Sequence, residues 1–407
     1  MKKHVLIVGG GASGLVAAIA AARGGAKVTV LEKKSQVGKK ILATGNGRCN
    51  LTNTDQSPSH YWCSETEFPV AALAVFSHFD AIRFFGELGI FTKNKNGYLY
   101  PYSEQAAAVV DALRMEAEHL KVKLSCNAEI LGIKKEKDRF FVETPGWTYE
   151  ADALILACGS KASPEGSGDG YAYAKSFGHT INPVLPALVQ LRADKSWPKQ
   201  LSGIRVDAKV SLYADGELLS EDTGEVQLTV YGLSGIPVFQ VSRYASLTLH
   251  QQKKVTAELA FLPMFSREQL GAFLENRARQ NAYKTVESFL VGLFPQKLIL
   301  VLVQRAHLPK GRLAGELEPE ELERLIEAIT RFEAVITGTN DFDQAQVCTG
   351  GVEIKEIMPL TMESRLVEDL YITGELLDVD GACGGYNLQW AWTSGYLAGK
   401  NAAGVDE

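Results

Sequence analysis

Three glycines near the start of the chain stand at a spacing that could hold a phosphate-rich ligand. Gly9, Gly11 and Gly14 follow a short apolar run and precede a helix of small residues. Glycine there permits a tight turn, close approach of a pyrophosphate and close packing of helix on strand. The next apolar run ends at Glu32, whose carboxylate could accept hydrogen bonds from a ribose. This order predicts a dinucleotide site, the alternative being a glycine turn in an ordinary βαβ unit.

A second glycine-rich loop stands near the end of the chain. A predicted strand at 370–373 leads into Gly374 and Glu375, and further glycines precede a helix predicted over 388–400. We expect Asn387 to cap that helix. A helix N-terminus offers free N–H groups and the positive end of a dipole to an anionic ligand. The two ends of the chain therefore resemble two halves of one nucleotide site, with the middle inserted between them.

The elements that must position these loops follow from hydrophobic periodicity. The polar stretch 33–53 has neither a helical nor a strand period and is long enough to indicate a functional loop. After about residue 188 the pattern alternates like antiparallel strands, with turns expected at Gly216 and Gly224. Strands are predicted at 5–8, 27–31, 123–126, 129–134, 139–144, 148–150, 153–157, 204–213, 217–220, 225–230 and 344–348. Helices are predicted at 15–23, 70–88, 104–120, 171–177, 267–282, 286–293, 296–304 and 318–332.

Composition narrows the class of protein. A length of 407 residues predicts two or three domains, and a net charge of −6 argues against a broad nucleic-acid surface. No apolar run approaches the roughly 20 residues that span a bilayer, so no membrane span is expected. The six cysteines form no CxxC pair and no histidine cluster accompanies them. We expect no metal site and a reduced, cytoplasmic protein, while its oligomeric state stays open.

The divided nucleotide site resembles an FAD domain of the glutathione-reductase type. In that type the first helix holds the pyrophosphate, and a late strand-to-helix junction holds the ribityl chain and the flavin. Residues 153–159 (ALILACG) resemble the intervening strand usually written ATG, with Cys158 in place of the usual Thr. A nicotinamide dehydrogenase, by contrast, usually completes its nucleotide domain in one continuous stretch.

Longer motifs make the resemblance specific. They are GKKILATGNGRCNLTN (38–53), GSGDGYAYAKSFGH (166–179), LSG (233–235), TGGVEIKEI (349–357), TMES (361–364) and GELLDVDGACGGYNLQWAWTSG (374–395). On these motifs the chain resembles the BaiN / aminoacetone-oxidase-like (YhiN-like) flavoprotein family. It departs from the family's pattern in two places: Gly159-Ser160 replaces Gly-Gly, and Val230-Tyr231 stands where a histidine commonly precedes LSG.

The resemblance implies an α/β fold, in which a Rossmann-like two-part FAD-binding domain carries an inserted antiparallel, barrel-like β domain and a small helical domain. The expected boundaries are 1–187 and 350–407 for the FAD domain, 188–265 and 336–349 for the β domain, and 266–335 for the helices.

The resemblance also implies non-covalent FAD and a set of contacts to it. On the nucleotide side these are Gly9, Gly11, Ala12, Ser13 and Gly14 at the pyrophosphate, Glu32 at the ribose, the main chain of Ala128 at the adenine, and Lys33 and Lys40 as charge partners. Toward the flavin they are Arg48, Cys49, Asn50, Ala157, Gly159, Gly374, Glu375, Asp380, Gly385, Asn387 and Leu388. Arg48 could instead be an exposed loop cation, and Cys49 a structural small residue.

The sequence says less about the reaction than about the cofactor, because a flavin performs the hydride transfer itself. The sequence has one dinucleotide fingerprint, so the electrons would come from a transiently bound NAD(P)H, from the substrate itself or from another donor. The bile-acid branch of the family implies reduction of an activated C=C bond, as in the enone of a steroid-like small molecule. Proton donors would then be sought among Tyr100, Tyr102, Tyr231 and Tyr386. The alternatives are an O2-dependent oxidase of a small, aminoacetone-like amine, and an RNA-modifying or redox-sensing flavoprotein. The acidic composition disfavours a role on RNA.

Overall fold

The structure, a computed structural model, describes residues 2–162, 166–194 and 197–404. Its strands are β1 His4–Val8, β2 Lys27–Leu31, β3 Thr52–Asn53, β4 Tyr61–Trp62, β5 Thr92–Lys95, β6 Tyr98–Pro101, β7 Lys123–Ser125, β8 Gly132–Glu136, β9 Arg139–Thr144, β10 Trp147–Ala151, β11 Ala153–Leu156, β12 Leu185–Ala187, β13 Leu191–Ala193, β14 Ile204–Ala214, β15 Glu217–Leu228, β16 Gly232–Ser234, β17 Val255–Phe261, β18 Phe332–Thr339, β19 Val347–Thr349, β20 Leu370–Ile372 and β21 Asp380–Gly381. Its helices are α1 Ala12–Arg23, α2 Lys39–Ala43, α3 Glu67–Val75, α4 His78–Glu87, α5 Ala106–His119, α6 Asp169–Ser176, α7 Pro198–Leu201, α8 Ile236–His250, α9 Arg267–Gln280, α10 Val286–Phe289, α11 Gln296–Arg305, α12 Pro319–Thr330 and α13 Tyr386–Ala402.

Two compact units make up the chain, Met1–Leu185 with Gln346–Glu407, and Pro186–Ala345. The first unit is built on a parallel sheet in the order β20-β11-β1-β2-β7. Strand β1 lies in the middle, with Val5 beside Ala153 of β11 and beside Val28 of β2. All four residues of β11 are buried, as expected of a strand covered on both faces. This sheet confirms the predicted Rossmann-type α/β class.

Helices α1 and α13 pack closely in the first unit because both carry small residues at their contact. A Cβ atom on Gly395 would lie 2.3 Å from the carbonyl oxygen of Ser13, and one on Gly399 would lie 2.2 Å from that of Ala17. A larger side chain at either of these two positions would push the helices apart. The glycines of α13, facing the small residues of α1, therefore let the first and last helices of the chain pack closely.

The second unit holds a closed barrel in the order β13-β16-β15-β14-β17-β18, which confirms the predicted antiparallel β domain. Helix α8 packs on β14 and β15, and buries Val238, Val241 and Ala245. Helices α9 to α12 belong to the same compact unit as the barrel. Their assignment to a separate helical subdomain, and the predicted domain boundaries, stay predictions.

Two expectations about local structure are wrong, and two elements had no prediction. The helix predicted over 70–88 is divided into α3 and α4, because Ser77 and Asp80 form a capping box that starts a new helix. The turn predicted at Gly224 does not exist, since Gly224 lies inside the continuous strand β15, where a Cβ would crowd Pro237 at 3.1 Å. Helix α8 and strand β17 were not predicted at all.

One stretch of the described residues, Glu67–Glu87, has the length and apolar composition of a membrane-spanning segment, a test that buried core helices also pass. This stretch qualifies the expectation that no apolar run is long enough. It consists of α3 and α4 rather than one helix, and Phe68, Ala72 and Phe85 are buried in the core. The segment is therefore weak evidence for a membrane span.

Candidate functional site

The glycines of the first loop do different work. Gly9 has a φ of +105°, and a Cβ there would lie 2.3 Å from the carbonyl oxygen of Ala157. A Cβ on Gly14 would lie 1.9 Å from the carbonyl oxygen of Gly9, whereas one on Gly11 would meet nothing within 4 Å. Gly9 and Gly14 are thus required by packing, and Gly11 borders open space. Helix α1 begins next at Ala12, and its described first turn has no acidic residue and no side-chain cap.

Glu32 is fixed at the end of β2 by backbone hydrogen bonds. Its Oε2 accepts from the N–H of Gly10 at 2.7 Å, and its Oε1 accepts from the N–H of Lys34 at 2.8 Å. The N–H of Ala128 donates to the carbonyl oxygen of Glu32 at 2.9 Å. Glu32 and Ala128 are therefore adjacent. Lys33, by contrast, is exposed and forms an ion pair with Asp169 at 2.9 Å.

The late segment joins the first loop through hydroxyl and backbone contacts. The Oγ1 of Thr373 lies 3.1 Å from the Oγ of Ser13. Both backbone groups of Gly374 are used, since its N–H donates to Ser394 Oγ at 2.9 Å and its C=O accepts from Trp390 Nε1 at 3.1 Å. The structure thus brings together the two predicted halves of the nucleotide site.

Glu375 is the point where three predicted segments meet. Its Oε2 accepts from Lys40 Nζ at 2.5 Å and from Ser160 Oγ at 2.7 Å. Lys40 lies in α2, within the polar stretch 33–53, and Ser160 lies in the segment that follows β11. The Glu375 side chain is only 16% exposed, so its charge needs these partners.

The polar loop places its three predicted residues in different surroundings. Arg48 is exposed, and its positive charge partly opposes the rise that burial causes in the pKa of Tyr100. Cys49 is buried, and burial raises the pKa of its thiol to about 12, which supports the structural interpretation of this residue over the redox one. Asn50 is also buried, and its Oδ1 has no hydrogen-bond partner among the described atoms.

Helix α13 begins at Tyr386 after Gly385, whose φ is +96°. A Cβ on Gly385 would lie 2.7 Å from the backbone of Thr52, so only glycine fits. The expectation that Asn387 caps the helix is wrong, because the position belongs to Gly385 and no side chain caps it. Asn387 instead accepts from the N–H of Gly381 at 2.8 Å and donates to its C=O at 2.7 Å. It therefore holds the preceding loop in place.

The other predicted residues of this segment flank the helix start. Asp380 is buried in β21, opposite Trp62 of β4. Leu388 is half-buried in the first turn of α13, which has no acidic residue. The N–H groups of this turn are thus available to a ligand oxygen.

The four candidate proton donors are divided between the two units. Tyr231 lies in the second unit, and Tyr100, Tyr102 and Tyr386 lie in the first. Tyr102 is exposed and has Lys93 Nζ 5.6 Å from its ring centre. Burial, together with the neighbouring Asp55 and Tyr98, raises the pKa of Tyr386 to about 12.

Sequence analysis missed a histidine beside Tyr386. The imidazole of His60 stacks on the Tyr386 ring with centroids 4.5 Å apart, and its Nε2 lies 3.0 Å from Asp55 Oδ2. The C=O of His60 accepts from the N–H of Ala382 at 2.9 Å. No motif in the sequence marks His60, because its contacts with Tyr386 and Ala382 form only where β4 pairs with β21.

These residues fit a bound FAD. Two helix N-termini without acidic residues in their first turns can donate N–H hydrogen bonds, one to its phosphates and the other to a flavin carbonyl. Gly11 leaves room for a pyrophosphate, and the unpartnered Oδ1 of Asn50 offers a buried acceptor to a donor such as a ring N–H. When bound, FAD would supply hydride chemistry, while these residues bind and orient it.

The fold and the site together define a Rossmann-type FAD-dependent oxidoreductase. The family described as HI0933-like protein Rossmann domain matches residues 3–401. The chain belongs to this family, which confirms the resemblance inferred from the motifs.

Named relatives match along nearly their whole length. The chain is 48% identical over 401 residues to a 3-dehydro-bile acid delta(4,6)-reductase of Clostridium scindens, covering 98% of each chain. It is 31% identical over 402 residues to a ribosomal RNA dihydrouridine synthase of Haemophilus influenzae, covering 96% of each. It is 29% identical over 402 residues to the ribosomal RNA dihydrouridine synthase of Escherichia coli, covering 97% of each.

Proposed function

We propose that this enzyme reduces a C=C bond conjugated to a carbonyl in a steroid-like or bile-acid-like small molecule, with NAD(P)H as the transient electron donor. The observation that carries the proposal is the 48% identity, over 98% of both chains, to a reductase of 3-dehydro bile acids. The identity extends across both units, so it covers the FAD site and the inserted domain alike.

The geometry of the FAD site supports a reductase. Bound FAD would supply the hydride for the β-carbon of an enone, and its anionic reduced form carries a negative charge. The N-terminus of α13, free of acidic residues in its described first turn, would stabilise that charge. The proposal assigns this turn, with Gly385, Asn387 and Leu388, to the flavin, and Gly374, Glu375 and Asp380 to the ribityl and pyrophosphate region.

The remaining predicted contacts belong to the same proposal. Helix α1 and its loop would hold the pyrophosphate, and Glu32 and Ala128 would meet the adenosine. Lys40 would act through its ion pair with Glu375 rather than as a free cation. Lys33 has the weakest support, since Asp169 already binds its exposed ammonium group. We propose a cytoplasmic location, as the cysteine pattern predicts.

A second candidate function is reduction of uridine in RNA. Two relatives at 31% and 29% identity are ribosomal RNA dihydrouridine synthases. The chemistry is closely related, since the C5=C6 bond of uracil is also conjugated to a carbonyl. The β5–β6 hairpin adds a weaker observation. Lys95 Nζ lies 5.7 Å from the ring centre of Tyr100, and Lys93 Nζ lies 5.6 Å from that of Tyr102, but both ammonium groups are also ion-paired with Glu104. Alternating cations and aromatic rings suit single-stranded nucleic acid. The relatives named above give no support to an amine oxidase.

One anaerobic experiment tests the proposal. Purified holoprotein is mixed with NADH or NADPH, and reduction is followed by the loss of flavin absorbance. A 3-oxo-4,6-diene bile acid is then added, and we expect it to restore the absorbance while it gains two hydrogens. Restoration by unmodified ribosomal RNA but not by the diene would favour the second candidate. Flavin that NADH and NADPH leave oxidised, but that an amine reduces, would contradict both.

A further inference from the structure

We propose that His60 is the proton donor of the reduction. The inference rests on the proposed function, which needs a proton source that no predicted residue supplies convincingly. Hydride addition to the β-carbon of an enone leaves an enolate, and the α-carbon must then take up a proton. A general acid in that role has to stand near the reacting end of the flavin and exchange protons with solvent.

The placement of His60 meets the first requirement. Its ring stacks on Tyr386, the first residue of α13, with an interplanar angle of 28°. Its backbone oxygen is bonded to Ala382, in the loop that Asn387 fixes ahead of the helix. The imidazole is therefore anchored to the same loop and helix turn that the flavin would use.

The environment of His60 meets the second requirement. The side chain is 32% exposed, so it can be reprotonated from water. Asp55 lies 3.0 Å from Nε2, and this hydrogen bond holds the pKa of Asp55 below its ordinary value. Asp55 is therefore a carboxylate whose hydrogen bond to Nε2 holds the orientation of the imidazole ring.

The tyrosines are poorer donors. A pKa of about 12 for Tyr386 makes its hydroxyl a weak acid at neutral pH, and its ring supports the imidazole instead. Tyr102 is 62% exposed, beside Phe91 and Lys93 and away from the helix turn. Tyr100 lies on the same hairpin, and burial raises its pKa as well.

The step balances as follows. When bound, reduced FAD would supply a hydride, hence two electrons, to the β-carbon and would itself end oxidised. The C=C π bond breaks, and the electron pair moves onto the α-carbon and the carbonyl oxygen. The protonated His60 gives its proton to the α-carbon and becomes neutral imidazole. Water restores the His60 proton, and NAD(P)H reduces the flavin for the next turnover.

The test separates the two half-reactions of the holoenzyme by flavin absorbance. The variants are His60→Gln, His60→Ala and Asp55→Asn, with His119→Gln at an exposed helix end as the matched control. Enzyme reduced with dithionite is mixed with a 3-oxo-4,6-diene bile acid in H2O and in D2O. NAD(P)H reduction of the oxidised enzyme and the retained FAD are measured in parallel, and report whether each variant is correctly folded.

We expect His60→Gln to keep its FAD and its rate of reduction by NAD(P)H, while flavin reoxidation slows by about 100-fold or more. Asp55→Asn should slow reoxidation less, and added imidazole should partly rescue His60→Ala, which a purely structural role would not permit. The control should match wild type. Unchanged reoxidation in His60→Gln, or loss of rate in His60→Ala that imidazole leaves untouched, would overturn the role of His60 while the proposed function stands. Failure of the diene to reoxidise wild-type enzyme would overturn both.

Discussion

The side-chain hydroxyls of Ser13 and Thr373 lie 3.1 Å apart, although 360 residues separate them in the chain. Ser13 belongs to the first turn of α1, and Thr373 directly follows β20. Their contact places the glycine loop of the N-terminus beside the late strand-to-helix junction. The proposed FAD site would therefore depend on both ends of the chain, and either end alone would supply only half of it.

The ion pair between Lys40 and Glu375 should couple the polar loop to the late segment. We expect Glu375→Gln and Lys40→Met each to lower the free energy of unfolding of the apoprotein, with a coupling energy of about 1–2 kcal/mol in a double-mutant cycle. Urea unfolding measures the effect. Lys33→Met, in an exposed pair with Asp169, is the matched control and should cost less than about 1 kcal/mol. Strictly additive effects of the two substitutions would contradict the coupling.

The unpartnered Oδ1 of Asn50 should matter more to FAD binding than to folding. Because nothing satisfies this buried acceptor in the described protein, removing it from the apoprotein relieves a desolvation cost. We expect Asn50→Ala to weaken FAD binding about tenfold, with little change in apoprotein stability. Fluorescence titration of apoprotein with FAD measures the affinity, and thermal unfolding provides the control. Unchanged affinity would show that Asn50 does not contact the cofactor.

The buried histidine of the first unit makes stability depend on pH. His179 Nδ1 lies 2.9 Å from Glu356 Oε2, its Nε2 lies 2.8 Å from Ser364 Oγ, and burial holds its pKa below 6.5. Below about pH 6.5, His179 is therefore protonated in the unfolded chain but stays neutral in the folded chain until the pH is lower still. We expect the free energy of unfolding to fall between about pH 7.5 and about pH 5.5.

Paired variants check this origin. His179→Gln should be less stable at every pH but show a flatter pH dependence over that window, whereas exposed His119→Gln should keep the wild-type slope. Glu356 does not confuse the comparison, because its own pKa is lowered and its contribution is lost only at more acidic pH. Identical slopes in His179→Gln and wild type would rule out His179 as the cause.

Cys49 should behave as a structural residue. Its thiol is buried with a pKa of about 12, so a thiol reagent should leave it unmodified in the native protein while the half-buried Cys63 reacts. Mass spectrometry of peptides from native and unfolded protein measures this difference. We expect Cys49→Ala to keep FAD and turnover. Cys49→Val should destabilise by about 1–3 kcal/mol, because φ at this position is +58°. Rapid modification of Cys49 by the reagent in the native protein would contradict the structural role and favour a redox role.

Much of the first unit could be predicted because its signals are local. The strand, glycine loop and helix at 4–23 each have their own periodicity or spacing. A second strand, glycine-rich loop and helix around Gly374 are marked in the same way. The break at Ser77 was missed because apolar residues continue through it, so the capping box that divides the helices was hidden. The turn at Gly224 was predicted wrongly because glycine is common in turns but also occurs inside strands, and the sequence alone does not separate the two cases.

The contacts that assemble the site lay beyond the sequence for a different reason. Glu375 meets Lys40 only when the chain has folded, and no periodicity links two residues so far apart. Asn387 was expected to cap a helix because it stands near the helix start, but it binds Gly381 instead. His60 was overlooked because a lone histidine in a polar loop carries no signal until β4 pairs with β21.

The central claim, one FAD held by both ends of the chain, is tested most directly by cofactor retention in two distant variants. Gly11→Val fills the open space beside the first loop, and Asn387→Ala removes the hydrogen bonds that hold the loop before α13. The control is Gly86→Ala, because a Cβ at Gly86 also meets nothing within 4 Å. Flavin absorbance after purification gives FAD per chain. We expect about one FAD in wild type and in Gly86→Ala, and less than about a tenth of that in each site variant. A folded Gly11→Val or Asn387→Ala protein with full FAD would contradict the divided site.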